Sequence, residues 1–480
     1  MAEQRRRLIG LETEYGCLVG EGLPIHQVIG QLRDWFFENQ RYGLIDKHHR
    51  DWDEQPGNGG FLFNGGRVYE DMGHLEMCTP ECASFLEVVR YDRANDRMLA
   101  EALHELGLED SVSLIRNNVD HYTGATFGCH ENYSMNRNVP TTDESIFSLL
   151  AYLTLRSLYT GSGRVGGLEI QRQLMREGPN ALLENFKGFQ MTQRADYVEN
   201  DFFRWVQGNR AIINTRDEPL ADPSMYRRLH LLHGDTNVLP AAAFLKLGTT
   251  SLVLDLLEIG EMPEVRVLNP VGTLKQFSYD PDGPWDVVLH DGAHVPAVNL
   301  LELYRERAAQ HFQGRDDETD ALLALWKQTN DALQEGETTS LVGILDWVTK
   351  KYLFEHFCEA EGILMTDAWL ESQDLEFHQV IPERNLGLPL SKEGPWSVDL
   401  EAAVTECFTE PPSTTRAAAR SRLMKQIDPV HDDYIVDWDS VRWSNQVATL
   451  SDPYNLDPTI RENEEDIAER LSGWPSADLD

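Results

Sequence analysis

An α+β fold built on an antiparallel sheet is what the sequence predicts. Strand-like and helical stretches interleave without the regular strand–helix–strand units of a parallel sheet. A hydrophobic share of 41% with 9% aromatics is ordinary for a packed protein, and 480 residues suffice for a large core. Near "TEPPSTTR" two prolines and small polar residues interrupt a long helical pattern. A large domain over 1–398 and a small C-terminal domain over 399–480 are therefore expected.

Each element has its own signal. "GLETEYG" follows Leu8 and Ile9 and reads as a strand with Glu12 and Glu14 on one face and Leu11, Thr13 and Tyr15 on the other. "IHQVIGQLRDWFFE" spaces Ile25, Val28, Ile29, Leu32 and Phe36 as a helix does. Pro56 and a run of glycines break the periodicity, so Gly43 to Gly60 reads as a loop insertion ahead of the strand "RVYEDMG". A helix follows from about Phe85 to Leu106, then the strands "SVSLIRNNVD" and "ATFGCHENYSM" across a turn at His121 to Gly124. "ESIFSLLAYLTLRSLYT" reads as a helix ending at Gly161, and further strands are expected around Gly188 to Val198, Ala211 to Thr215 and "RRLHLLHGDTN". "AAAFLKLGTTSLVLDLLEIG" and most of Leu300 to Glu371 read as helices, and the acidic tail after Arg461 reads as frayed.

The formal net charge of −38 repels phosphate backbones and anionic lipids, which argues against nucleic acid or membrane as the main partner. Six scattered cysteines lack paired zinc spacing and fit reduced thiols. "MAEQRRRLIG" has no apolar secretion segment, and no run approaches membrane-spanning length, so a cytoplasmic location is expected.

Two carboxylates side by side on a buried strand cost several kcal/mol unless a cation or strong donors lie between them. An edge strand with a solvated acidic face is the ordinary alternative. The strand "RVYEDMG" tips the balance: Arg67, Tyr69 and Asp71 share a face, and alternation resumes after Gly73 with His74, Glu76 and Cys78. Hard oxygen donors of this kind suit magnesium, which completes its shell with water and nucleotide phosphates. Singly, Asp71 could be a turn acid, Arg67 a surface ion pair and His74 a structural histidine; together they read as a site. Arg116, Asn118 and Asp120, with His130 and Asn132, form a second polar cluster fit for phosphate or ribose, although turn formation would use the same residues. "TGSGRVGG" is a weak phosphate-loop signal, and "INTRDEP" and "YRRLH" supply arginines for anions or for nearby acids. Carboxylates for magnesium, arginines for phosphate and one acid to take a proton equip a chain for ATP-dependent carboxylate activation. There is no Walker loop and no serine-triad signature.

At these residues the sequence resembles the family of Pup ligases and Pup deamidases (depupylases), within the glutamine synthetase-like carboxylate-amine ligases. The resemblance runs through "GLETEYG", "NGGRVYEDMGHLEMCTPEC", "NNVDHYTGATFGCHENY", "TGSGRVGG", "FQMTQRADY", "IINTRDEPLADPSMYRRLH", "LKLGTTSLVLDLLE", "LDWVTKKYLF", "PPSTTRAAAR" and "VDWDSV", which covers nearly the whole chain. It implies a large glutamine synthetase-like domain whose curved antiparallel sheet, backed by helices, carries the ATP site, plus a small C-terminal domain. By motif match it implies Glu12, Tyr69 and Glu76 as Mg2+ ligands, Arg67 and Thr79 as nucleotide contacts, and Asp71 as catalytic acid or base. Trp438 would bring the C-terminal domain to the nucleotide. Glu70 and Leu75 depart from the family pattern, which has an apolar residue before the aspartate and a proline after the histidine.

The implied activity is an ATP-dependent ligation through a γ-glutamyl phosphate, joining the C-terminal glutamate of a Pup-like modifier to lysines of target proteins, with a link to a bacterial proteasome. The alternative is hydrolysis of the same bond, or of a C-terminal glutamine amide, with bound nucleotide. Family hydrolases carry a long insertion between the first strand and the aspartate strand, and the segment here is short. "TGSGRVG", "LKLGTTSLVLDL" and the spacing of "EDMGHLEM" look hydrolase-like, whereas "ETEYG", "DWVTKK" and "SDPY" look ligase-like.

Overall fold

The computed structural model describes residues 6–50, 54–121, 123–139, 142–166, 186–204, 210–397 and 400–462. Trp52, in the expected loop, and the tail beyond 462 lie outside them. The chain divides into two compact units, one of Met1–Leu114, Glu218–Arg228 and Asp399–Asp480, the other of Ile115–Asp217 and Leu229–Val398.

In the first unit β1 (Ile9–Val19) alternates as its sequence requires: Leu11, Thr13 and Tyr15 are buried, and Glu12 and Glu14 are half-buried on the opposite face. With β2 (Gly43–Ile45), β3 (Gly59–Leu62), β4 (Arg67–Asp71) and β5 (His74–Cys78) it forms the antiparallel order β1–β5–β4–β3–β2, and β6 (Val112–Ile115) also pairs with β1. The expected loop over Gly43 to Gly60 is thus corrected at both ends, because Gly43 pairs with Leu62 and Ile45 with Gly60. Three residues are too few to show a period in sequence.

Helix α1 (Ile25–Asp34) buries Val28, Ile29 and Leu32 but leaves Ile25 exposed at its first turn. Helix α2 (Phe85–Glu105) starts at a capping arrangement in which Ser84 accepts from the Glu87 amide at 3.2 Å and Glu87 reaches back to the Ala83 amide at 3.3 Å. Tyr15 donates to Asp96 of α2 at 2.8 Å, tying the helix to the buried face of β1.

The second unit holds β7 (Cys129–Asn136), the two-residue pair β8 (Arg164–Val165) and β9 (Phe189–Gln190), then β10 (Val198–Phe203), β11 (Arg210–Asn214) and the end of β12 (Tyr226–Leu231). β10 and β11 run parallel, so the all-antiparallel expectation is corrected to a mixed sheet; a two-residue period reveals faces, not direction. β13 (Asp286–Val288) and β14 (His294–Pro296) form a small separate hairpin. The helix Pro240–Glu258 is long and apolar enough to cross a membrane, contrary to the sequence expectation, yet all of it up to Leu257 is buried in this unit.

Two of the phosphate candidates in this unit are enclosed by the fold. Asn118 donates to the Phe127 carbonyl at 3.0 Å and to Thr236 at 2.9 Å, and residues 116–120 lie outside β6. In "TGSGRVGG", Arg164 is buried, and a side chain at Gly163 would meet the Phe189 ring at 2.8 Å.

The C-terminal strands β15 (Tyr434–Val436), β16 (Ser440–Trp443), β17 (Gln446–Thr449) and β18 (Ile460–Glu462) form an antiparallel sheet of their own. Its core is shared with the N-terminal strands of the same unit: Leu44 and Phe61 of β2 and β3 pack with Leu423, Met424, Val436, Val441 and Ala448. Glu81 ties the same two parts together. It accepts from Arg416 Nε at 2.6 Å and Arg420 Nη2 at 2.8 Å, and Arg420 also donates to the Gly65 carbonyl at 2.7 Å.

Burial alone would raise the Glu81 carboxyl, but the two guanidiniums outweigh it and hold it at about 2, against an ordinary 4.5. A depressed carboxyl stabilises above its unfolded value and stops doing so as pH falls through its folded value. Glu81→Gln should cost about 3–5 kcal/mol at pH 7 because it leaves two buried cations unmatched. The gap between the urea midpoints of wild type and variant should then narrow as pH falls from 4.5 toward 2, and a gap independent of pH would contradict this.

Candidate active site

The register of β1, β5 and β4 lines up one polar face. Glu12 lies opposite Cys78 and Glu14 opposite Glu76; Tyr69 also faces Glu76, Asp71 faces His74, and Arg67 faces Cys78. β4 and β5 meet at a two-residue turn in which Met72 (φ 45°) and Gly73 (φ 89°) are both left-handed. That turn matches the twist of paired strands, and it needs a glycine at one position and tolerates Met72 poorly at the other. Gly59 is opposite Tyr69, where a side chain would come within 2.3 Å of the Tyr69 Cβ. Its missing side chain gives the tyrosine room.

One oxygen each from Glu14, Asp71 and Glu76 lie within 4.8 Å of one another. Glu76 is only 2% exposed, and its carboxyl is pushed well above the usual range by burial and then by the charges of Glu14, Glu12 and Asp71. The Tyr69 hydroxyl opposes that rise by hydrogen-bonding to it. The Cys78 thiol is likewise pushed up by burial and by Glu12 and Glu76, so the donors suited to a cation here are oxygens.

Beside the acids stands Arg67, its guanidinium 4.1 Å from the Tyr69 ring centre. Its Nη2 donates to Asp46 at 3.1 Å and to Glu54. Thr79, buried, accepts from the Leu11 amide at 3.0 Å through its hydroxyl and donates its own amide to the Leu11 carbonyl at 2.9 Å. Trp438 meets the Phe61 ring edge-on at 4.9 Å and lies under the Arg420 guanidinium at 5.0 Å.

The Pup-ligase protein family model matches residues 7–442. The chain belongs to the Pup ligase family. It is 34% identical to a depupylase of Acidothermus cellulolyticus over 91% of this chain and 90% of that one. To a Pup–protein ligase of Acidimicrobium ferrooxidans it is 32% identical, over 95% and 97% of the two chains. Among solved structures it resembles the ligase PafA in complex with Pup (TM-score 0.76, 28% identity, 97% of this chain and 92% of that one). It also resembles PafA in complex with ADP (TM-score 0.71, 28% identity, 96% and 95%). The α+β fold of this family is therefore that of the chain.

The structure brings the motif residues of the family together on one face: Glu12, Arg67, Tyr69, Asp71 and Glu76 on the three strands, with Thr79 just beyond β5. Glu70 and Leu75 pair with each other on the opposite face, so the two departures from the family pattern leave the acids undisturbed. Glu14, given no role by motif, sits within the carboxylate cluster, whereas Glu12 lies opposite Cys78 and 3.8 Å from Arg228. Strand parity places Glu14 on the face of Glu12, and the cross-strand register brings it to Glu76. Asp46, Arg50 and Glu54 were missed, because charged residues among glycines and a proline read as a solvated loop.

The set fits a hard divalent cation. Three carboxylates, those of Glu14, Asp71 and Glu76, converge with the Tyr69 phenol beside Glu76 and Glu12 on the same face, and the buried Glu76 has repulsive neighbours that a cation would neutralise. A raised carboxyl keeps its proton in the folded state after the unfolded chain has lost it, so stability in chelator should fall as pH rises above 4.5 toward the folded value. Glu76→Gln should flatten that slope and abolish the rise in melting temperature on adding Mg2+. Equal slopes for wild type and variant in urea titrations from pH 5 to 8 would contradict it.

Proposed function

We propose that this protein is the ATP-dependent ligase that joins a Pup-like modifier, through its C-terminal glutamate, to lysines of target proteins. The observation that carries the reading is the single face of β1, β4 and β5, where Glu12, Glu14, Asp71 and Glu76 gather beside Arg67 in a chain matched by its family along nearly all its length.

Glu12, Tyr69 and Glu76 would hold Mg2+, with Glu14 adjoining, and the ion would neutralise phosphate charge. Arg67 and Thr79 would orient the nucleotide, and Trp438 would cover it. In the first step an oxygen of the glutamate γ-carboxylate bonds to the γ-phosphorus of ATP as the bond to ADP breaks. The neutral lysine amine then attacks the acyl carbon, and phosphate leaves with the electrons of the C–O bond. Asp71, at the mouth of the β4–β5 turn, accepts the amine proton.

The short segment between the first strand and the strand that carries Asp71 supports ligation over hydrolysis. The likeness to a depupylase favours the second reading, in which the same face activates water. Six free cysteines and the acidic charge support a cytoplasmic enzyme, and its conjugates would feed a bacterial proteasome.

With ATP, Mg2+, glutamate-ended Pup and a lysine-bearing target, the enzyme should form a covalent adduct and release one ADP per bond. Rapid cleavage of preformed conjugate with no net ATP use and no adduct would establish the hydrolase instead. Asp71→Asn should keep ADP affinity by calorimetry while conjugation falls about 10²–10⁴-fold. Lost ADP binding with turnover per bound nucleotide intact would make Asp71 structural.

A further inference from the structure

Arg67 does not stand alone. Asp46, 5% exposed, receives Arg67 Nη2 on Oδ2 at 3.1 Å and Arg50 Nε on the same oxygen at 2.6 Å, while Arg50 Nη2 reaches Oδ1 at 2.9 Å. Burial alone would raise the Asp46 carboxyl, and Arg50 and then Arg67 outweigh it and hold it low, so it is an anion here. The other end of Arg50 grips the residues just before Trp438: Nη1 donates to Asp437 at 2.6 Å, and Nη2 to the Val436 carbonyl. Around Arg50, Tyr434 donates to the Ile45 carbonyl at 2.8 Å and Lys47 to the Asp432 carbonyl at 2.9 Å. One chain of charges, Arg67–Asp46–Arg50–Asp437, buried except at its last member, therefore runs from Arg67 to the residue before Trp438, two of the three residues that motif match places at the nucleotide.

The geometry also shows which part of Arg67 is spoken for. Nη2 takes both carboxylates, and among the described residues Nε and Nη1 donate to no protein acceptor, Nε being buried as well. Arg50, Arg67 and Arg420 stand 5.2, 6.0 and 5.2 Å from the centre of the same ring, Phe61, with Trp438 against its edge. A guanidinium tethered at one nitrogen and open at the others is preorganised for an anion and gives up little freedom on binding it.

We propose that Asp46 and Arg50 are positioning residues that set Arg67 and Trp438 as one unit for the polyphosphate and base of the nucleotide. The inference rests on the nucleotide reading of Arg67 given above. Asp46→Asn keeps shape and loses the charge that holds both arginines.

Calorimetric titration of the full-length protein with ADP and Mg2+ tests it. Asp46→Asn should weaken ADP roughly ten- to hundredfold and raise KM for ATP, with KM for the Pup-like modifier unchanged, a split that general loosening of the fold would not produce. Arg67→Lys should weaken ADP similarly, and the double variant should be no weaker than the worse single one, because Asp46 acts through Arg67. Additive losses, or full ADP affinity in Asp46→Asn with reduced affinity in Arg67→Lys, would overturn the positioning role and leave the nucleotide site standing. Full affinity in Arg67→Lys would remove the nucleotide reading itself, and the inference with it. Should Asp46→Asn fail to fold, the more exposed Asp437→Asn serves: a three- to tenfold loss is expected, and no loss overturns the link to Trp438.

Discussion

Everything at this site depends on the antiparallel register of β1, β5 and β4. Because Glu14 faces Glu76 and Tyr69 faces the same residue from the other side, acids spaced two apart in sequence become neighbours across strands. Such a face is unfavourable by itself. It persists because its opposite side buries Leu11, Thr13, Tyr15, Val68, Leu75 and Met77, and apolar burial outweighs the repulsion of partly hydrated charges. A slip of one residue in either pairing would turn the acids into the core and the core into solvent, so register and site stand or fall together.

The same arrangement explains how stability and chemistry are divided. Charges meant to stay put are matched within the fold: Glu81 has Arg416 and Arg420, and in the second unit Glu131 holds Arg156 through two contacts of 2.7 Å. On the polar face charges are left in excess, with Glu76 hemmed in by like charges and Arg67 tethered by one nitrogen. A carboxylate cluster short of cation and a guanidinium with open donors are complementary to the two parts of a magnesium nucleotide.

Strand parity made much of this legible from the residues alone. Glu12 and Glu14 on one face, Arg67 with Tyr69 and Asp71, and the turn at Gly73 all follow from a period of two and from glycine's freedom at positive φ. Burial of polar residues was not legible. Asn118 looked like a ligand contact because polarity reads as exposure, and it is enclosed by later parts of the chain. Asp46 and Arg50 looked like solvated loop, yet Asp46 meets Arg67 of β4 and Arg50 reaches Asp437, near the other end of the chain. The parallel pairing of β10 with β11 was hidden for a similar reason, since a strand's face is written locally and its direction relative to a neighbour is not.

Crystals of the protein with ADP and Mn2+, read by anomalous scattering, test the central claim most directly, since Mn2+ takes the same oxygen donors as Mg2+. The account predicts a metal peak on the polar face of β1, β4 and β5, about 2 Å from a Glu76 oxygen, with a nucleotide phosphate on its far side and Arg67 within hydrogen-bond reach of that phosphate. Metal and nucleotide bound together elsewhere on the chain, with Glu76 in contact with neither, would contradict it.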